Sequence, residues 1–259
     1  GGFSGAQFSL RSRPGSNYIS RGLSLVLDAP QMQWTDRAAR SLGQQYSNVS
    51  LSGNLSGPIQ FDKSFFNAAY QLGRRSSDLQ TLLNTDADGL RASGVAADSV
   101  GRLLDILALE GVPAMSGAFG NDRLTDQGMV YATVDVAPPS STSGQAINVT
   151  ANGSWNRQDP VSGLPTELPS HSGERTNWNA SATARHTNYY GFGILSETSI
   201  GAGQSRMHSS PFLALPSGRV LVNSSFDDGS NGLQQLAFGG SQSLASRSTS
   251  TNASFSNRS

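Results

Sequence analysis

Apolar and polar residues alternate along most of the chain, which is the two-residue period of a half-buried β-strand. Between residues 46 and 59, Leu51 and Leu55 share one face of an extended segment, and Ser52 and Asn54 share the other. The same alternation predicts strands at 7–13, 18–27, 46–59, 66–72, 130–136, 147–156, 178–185, 192–202, 219–226, 233–243 and 249–257.

The connections between these segments alternate in length. The short ones are 57–63, 138–144, 188–191 and 227–232, and the long ones are 28–45, 76–128, 157–174 and 204–218. Outer-membrane barrels have short turns at one end and long loops at the other, whereas a soluble sandwich needs a core of larger side chains than these strands offer. The pattern therefore predicts an all-β fold, an antiparallel up-and-down transmembrane β-barrel, with about 9–10 of its strands in this chain.

One short helix is predicted, inside the long loop 76–128. Asp98 is the predicted N-cap, and Gly111 followed by Pro113 ends the helix. The apolar stripe at helical spacing consists of Val100, Leu103, Leu104, Leu107 and Ala108. We expect this helix to pack on its own loop or on the barrel rim.

Composition excludes several classes of function. The 259 residues contain 18 basic and 18 acidic side chains, so no net positive field favours nucleic acid. The absence of cysteine removes disulfides and thiolate chemistry. No nucleophile elbow, phosphate loop or carboxylate pair stands out, so the sequence predicts no enzyme activity and no cofactor. The chain is only 36% hydrophobic and 14% charged, as suits a wall with lipid on one side and water on the other.

Two groups of motifs resemble a known family. The first is GFSG at 2–5, an alternating segment at 7–13 and PGSN at 14–17; the second is LSGPI at 55–59, DKSFF at 62–66 and Tyr70. Together they resemble the end of the plug and the first barrel strands of TonB-dependent outer-membrane receptors, in particular the Oar-like group with a carboxypeptidase-regulatory-like domain.

The resemblance implies a domain organisation and a function. Residues 1–17 would be the end of the plug domain, and 18–259 the N-terminal part of the barrel, with the long loop 76–128. We expect the chain to be an internal part of a receptor in the bacterial outer membrane that imports a scarce small-molecule, peptide or glycan ligand. Its partners would be outer-membrane lipid and, through the plug region, the TonB complex.

Candidate ligand-binding residues follow from positions on long loops and the inner wall, and they are Trp34, Arg74, Arg75, Arg91, Arg123 and Trp155. Asn84, Asp86 and Asp88 have the spacing of the first half of a calcium loop, but Val95 occupies its twelfth position. An Asx-rich turn is the favoured interpretation of that segment, and no metal site is predicted.

Two other classes of protein are also compatible with the sequence. A secreted Ser/Asn-rich β adhesin would show a fixed repeat period, whereas the strand spacing here is irregular. A passive porin would share the barrel but not the plug-like opening.

Overall fold

A computed structural model describes residues 16–32, 45–115, 122–136, 144–225, 229–241 and 244–259. Within these ranges the strands are β1 (Ser20–Asp28), β2 (Tyr46–Gln60), β3 (Ser64–Asp78), β4 (Asp122–Val136), β5 (Ala146–Asp159), β6 (Gly173–Gly191), β7 (Ile194–Pro211), β8 (Ser217–Ser225), β9 (Asn231–Gly239) and β10 (Ser246–Arg258). The helices are α1 (Ala87–Ala92) and α2 (Ala97–Leu109), and single 3-10 turns occur at Pro30–Met32 and Pro169–His171. The predicted strand at 7–13 and most of the predicted plug segment 1–17 fall outside the described residues, and each of the other ten predicted strands overlaps an observed one.

Eight of the strands form one antiparallel sheet, in the order β1-β2-β3-β4-β5-β6-β7-β10. Consecutive strands pair along the whole sheet except at its end, where β10 rather than β8 pairs with β7. The predicted all-β antiparallel class is therefore confirmed. β1 and β10 are opposite edges of this sheet, so the described strands form an open sheet and not a closed barrel.

Connection length separates the two ends of the sheet. At one end, which we call the turn end, the connections are 61–63, 137–145 and 192–193. At the other, the loop end, they are 29–45, 79–121, 160–172 and 212–245. The loop predicted at 76–128 covers only 79–121, because β3 and β4 are longer than predicted and Arg74 to Asp78 pair with Asp122 to Asp126.

The predicted wall of about ten strands is wrong at the hairpin β8–β9, which is not part of the large sheet. It was expected to extend the sheet, but it forms a separate two-stranded sheet inside the connection 212–245, and β7 continues to Pro211. Leu236 on β9 is fully buried against loop residues, and Val220, Val222 and Phe238 pack on the same cluster. The hairpin leaves the wall because these apolar side chains are packed against the other loops.

The loops at the loop end fold together into a body that we call the cap, made of 79–115, 160–172, 212–225 and 229–241. Its buried apolar cluster consists of Leu82, Val95, Val100, Leu103, Leu107, Leu168 and Leu236. Backbone hydrogen bonds join its parts: Leu82 N donates to Glu167 O at 2.9 Å, and Leu168 N donates to Ala237 O at 2.9 Å. The apolar core of the described residues therefore lies in the loops rather than between layers of sheet.

The cap contains two helices where one was predicted. α2 buries Val100, Leu103 and Leu107 from the predicted stripe. It ends at Leu109, just before Gly111 as predicted; Val112 N donates to Leu107 O at 2.8 Å, and Gly111 has a φ of 69°. The predicted N-cap is wrong: the N-cap is Ala96 and makes no side-chain bond, and Asp98 lies in the first turn, where its carboxylate favours the helix dipole. Among the described residues, neither helix has the length and apolar character of a membrane-spanning segment.

The sheet has two unlike faces. We call one the apolar face, defined by the aligned residues Leu51, Leu72, Trp155 and Trp178. The next aligned row points the other way and defines the polar face, with Ser52, Gln71, Ser154 and Asn179. On the apolar face, Leu23, Val130, Ile200 and Phe255 are 73%, 56%, 59% and 70% exposed. No layer of the described chain covers these side chains.

Candidate ligand recess

A polar recess of about 610 Å³ opens on the polar face at the loop end of the sheet. It is lined by Asp28, Tyr46, Asn48, Arg75, Ser77, Arg123, Thr125, Gln127 and Gln158. β1 to β5 supply these residues at alternate positions, so strand pairing places their side chains on one face. The recess therefore combines amide, hydroxyl and guanidinium donors from β2 to β5 with the carboxylate of Asp28 from β1.

Arg75 and Arg123 are its two cationic groups. Register aligns Arg75 with Thr125 and Ser77 with Arg123, so the arginines are diagonal neighbours on β3 and β4. Diagonal pairs of this kind have Cα atoms roughly 7–8 Å apart, within the reach of long side chains. Both guanidinium groups can therefore contact one bound group.

Two contacts order the recess, and one donor in it has no partner among the described residues. The Arg75 guanidinium carbon lies 4.3 Å from the centroid of the Tyr46 ring, a cation–π distance. Asn48 Nδ2 donates to Asp28 Oδ2 at 3.1 Å, which engages the acidic group of the recess. The Nε of Arg123 is shielded from solvent and has no hydrogen-bond partner among the described residues. The recess therefore contains a hydrogen-bond donor that no described residue satisfies.

Two further recesses continue along the polar face toward the turn end. Gln127 borders both the first recess and a second of about 330 Å³. Gln71, Met129 and Ser154 border both the second and a third of about 800 Å³ in the middle of the sheet. Shared residues therefore connect the three recesses into one track along the strands.

No protein-family model, curated protein or solved structure matches this chain. The chemistry of the recess is therefore inferred from its own residues.

Two of the sequence-predicted site residues lie on the other face. Arg74 is on the apolar face, where its Nε donates to Asp126 Oδ1 at 2.6 Å and its Nη2 donates to Asp126 Oδ2 at 2.9 Å. Trp155 is also on the apolar face, directly opposite Trp178 on the neighbouring strand. Of the six predicted residues, the structure brings Arg75 and Arg123 together in the recess.

The remaining predicted residues lie elsewhere. Arg91 is in α1 of the cap and forms an exposed ion pair with Asp88 at 3.4 Å, and Trp34 lies outside the described residues. In the calcium-like segment, Asn84 Oδ1 accepts from Thr81 N at 2.6 Å, and Asp86 Oδ1 accepts from Gly89 N at 2.7 Å as the N-cap of α1. These oxygens are thus engaged in a turn and a cap. The described residues contain no group of three or more His, Asp or Glu side chains that could hold a metal ion.

Sequence reasoning missed most of the recess. Tyr46, Asn48 and Gln158 line it, and Arg175 is aligned with Gln158 on the same face. The Nε of Arg175 is also buried without a partner among the described residues. Alternation predicts the face that each side chain shares within its own strand. Only the register across long loops shows which residues of five strands are neighbours.

Proposed function

We propose that this chain forms part of the transmembrane barrel wall of an outer-membrane TonB-dependent receptor, which imports a scarce ligand. The observation that carries the proposal is the two-faced sheet, whose apolar face is bare. A sheet with one exposed apolar face and one polar face is unstable in water unless something covers the apolar side. Lipid is the cover that fits a wall of alternating residues.

The energetic argument rests on the exposed apolar side chains. Removing a Leu, Ile, Val or Phe side chain from water contributes roughly 1.5–3 kcal/mol. Leu23, Val130, Ile200 and Phe255 come from four different strands. The apolar face as a whole therefore favours transfer from water into a bilayer.

Two ion pairs of the apolar face lie where a membrane surface would lie. Arg157 Nε donates to Glu174 Oε1 at 2.9 Å, and Arg74 is paired with Asp126. These residues are at the loop end of β3 to β6. Mutual neutralisation at a strand end avoids the roughly 2–4 kcal/mol that an arginine costs at the bilayer midplane.

The polar face and the loops support a transport function. Closure of the wall by further strands would put the connected recesses inside the barrel. The cap would then cover the external entrance, since barrels of this kind have their long loops outside the cell. The receptor assignment within this class rests on the motifs at 2–17 and 55–70, and these imply coupling to the TonB complex.

The test uses the full-length protein in bacterial cells. We expect it to fractionate with the outer membrane and to change mobility on a denaturing gel when boiled. In a planar bilayer a plugged receptor should show no steady conductance. Recovery as a soluble, heat-insensitive species would contradict the barrel and favour the adhesin. A permanently open channel would favour the passive porin.

A further inference from the structure

Arginines of the sheet differ in whether an acid neutralises them. Arg74, Arg157 and Arg185 form salt bridges with Asp126, Glu174 and Glu197, respectively. Within the described ranges, Arg75 and Arg123 are in no salt bridge. They border the recess that also contains Asp28. The polar face at the loop end therefore holds an excess of positive charge.

This excess charge is accompanied by an unused donor. A guanidinium N–H that is shielded from water and has no acceptor is unfavourable, and Arg123 Nε is in that state among the described residues. Arg75 is already held against Tyr46, with 4.3 Å between the guanidinium carbon and the ring centroid. An acceptor entering the recess would satisfy Arg123 and meet an ordered Arg75.

The chemistry of the donors selects the acceptor. A guanidinium is a planar fork that binds the two oxygens of a carboxylate or phosphate in parallel. Asn48, Thr125 and Gln158 add neutral donors on neighbouring strands. The recess volume of about 610 Å³ is larger than one such group needs, so the group would be part of a larger ligand.

We infer that Arg75 and Arg123 form an oxyanion-binding site, and that the ligand of this protein carries a carboxylate or phosphate group. The site itself follows from the structure. Its assignment to an imported substrate rests on the proposed function. Arg75 and Arg123 would each contact the anion, and the neutral donors would bind the rest of the ligand.

The test is calorimetric titration of the full-length protein in detergent at low salt, with citrate as the carboxylate probe and inorganic pyrophosphate as the phosphate probe. We expect at least one probe to bind. The double variant Arg75→Gln/Arg123→Gln should weaken that binding at least about tenfold, since it removes two charge-assisted contacts. The probe that binds more tightly identifies the kind of oxyanion.

The matched control is Arg185→Gln, which lies on the same face near the turn end and is paired with Glu197 at 3.5 Å. It should leave probe affinity unchanged. Binding of neither probe, or binding unaffected by the double variant, would overturn the inference. A heat-shifted membrane protein that binds neither anion would refute the oxyanion site and leave the proposed function standing. A soluble protein that binds an anion through these arginines would support the oxyanion site and contradict the proposed function.

A second measurement covers the case in which the double variant does not fold. Phenylglyoxal modifies accessible arginines, and mass spectrometry reports each site in the wild-type protein. Saturating probe should slow modification of Arg75 and Arg123 and leave that of Arg91, in the cap, unchanged. Equal rates with and without probe at Arg75 and Arg123 would contradict the site.

Discussion

Arg74 and Arg75 are consecutive in β3, and their guanidinium groups lie on opposite faces of the sheet. Arg74 is bonded to Asp126, whereas Arg75 stacks on Tyr46 and borders the recess. The sequence pattern predicts that neighbours in a strand face opposite ways. It does not reveal the partners, because Asp126 comes from a strand on the far side of a long loop. The candidate site was therefore predicted in part, through Arg75 and Arg123.

Glu167, in the cap, is a second residue whose properties are set by neighbours far away in the sequence. Its backbone lies between Leu82 and the hairpin, and the Oε2 of its carboxylate is shielded and without a hydrogen-bond partner among the described residues. Burial raises the pKa of the Glu167 carboxyl, and the nearby His171 and Arg219 partly offset that rise. The folded cap therefore favours the protonated form more than the unfolded chain does.

A pH dependence of cap stability follows from this residue. Because the folded-state pKa is raised, Glu167 contributes stability below its unfolded pKa, and that contribution is lost as the pH rises through the folded pKa. Wild type and Glu167→Gln should show similar hydrogen exchange in the cap at about pH 4 and diverge toward about pH 8, with the wild type less protected. A constant difference across that range would contradict the prediction.

At the scale of elements, the period of the sequence identifies strands and helices more reliably than their ends or partners. The stripe of α2 and its stop at Gly111 were predicted, because helical spacing and a glycine with positive φ are local properties. The start was misplaced because Asp98 can favour a helix from within its first turn. Apolar and polar residues alternate in the β8–β9 hairpin as they do in a wall strand. The hairpin nevertheless packs in the cap, which forms from several loops and so cannot be predicted from any one segment.

One glycine within α2 and one just after its C-cap test how the helix is stabilised. Gly101 is exposed in the helix interior, and a methyl group there would contact nothing within 4 Å. Gly101→Ala should raise the free energy of cap unfolding by about 0.5–1 kcal/mol. Gly111 also has open space but a φ of 69°, so Gly111→Ala should lower that free energy by about 1 kcal/mol. Hydrogen exchange of the α2 amides measures both, and changes of the same sign would contradict the assigned roles.

The whole molecule divides its apolar residues between two environments. The cap buries Leu82, Leu168 and Leu236 almost completely, whereas the apolar face of the sheet leaves Leu23 and Phe255 largely exposed. A protein that buries one set and leaves the other bare fits a membrane wall with a folded external cap, as proposed above.

The absence of cysteine in these 259 residues allows that arrangement to be tested with single introduced thiols. Ser181 and Ala182 are consecutive in β6, on the polar and apolar faces respectively. In outer membranes, a charged maleimide should label Ser181→Cys, because the polar face is wet, and should not label Ala182→Cys, because lipid covers the apolar face. In protein unfolded by denaturant, both should react. Equal labelling of the two in membranes would contradict a lipid-facing wall.

The sequence by itself determined the local order: the alternation of the strands, the helical stripe, and the sorting of long and short connections to opposite ends. These depend on residues a few positions apart, where φ, ψ and side-chain direction are set. Only the tertiary structure decided the register that gathers Arg75, Arg123 and Gln158, the departure of β8–β9 from the wall, and the formation of one cap from three loops. Those features depend on contacts between residues far apart in the chain. Such contacts stabilise the fold only after the strands and loops have been brought together.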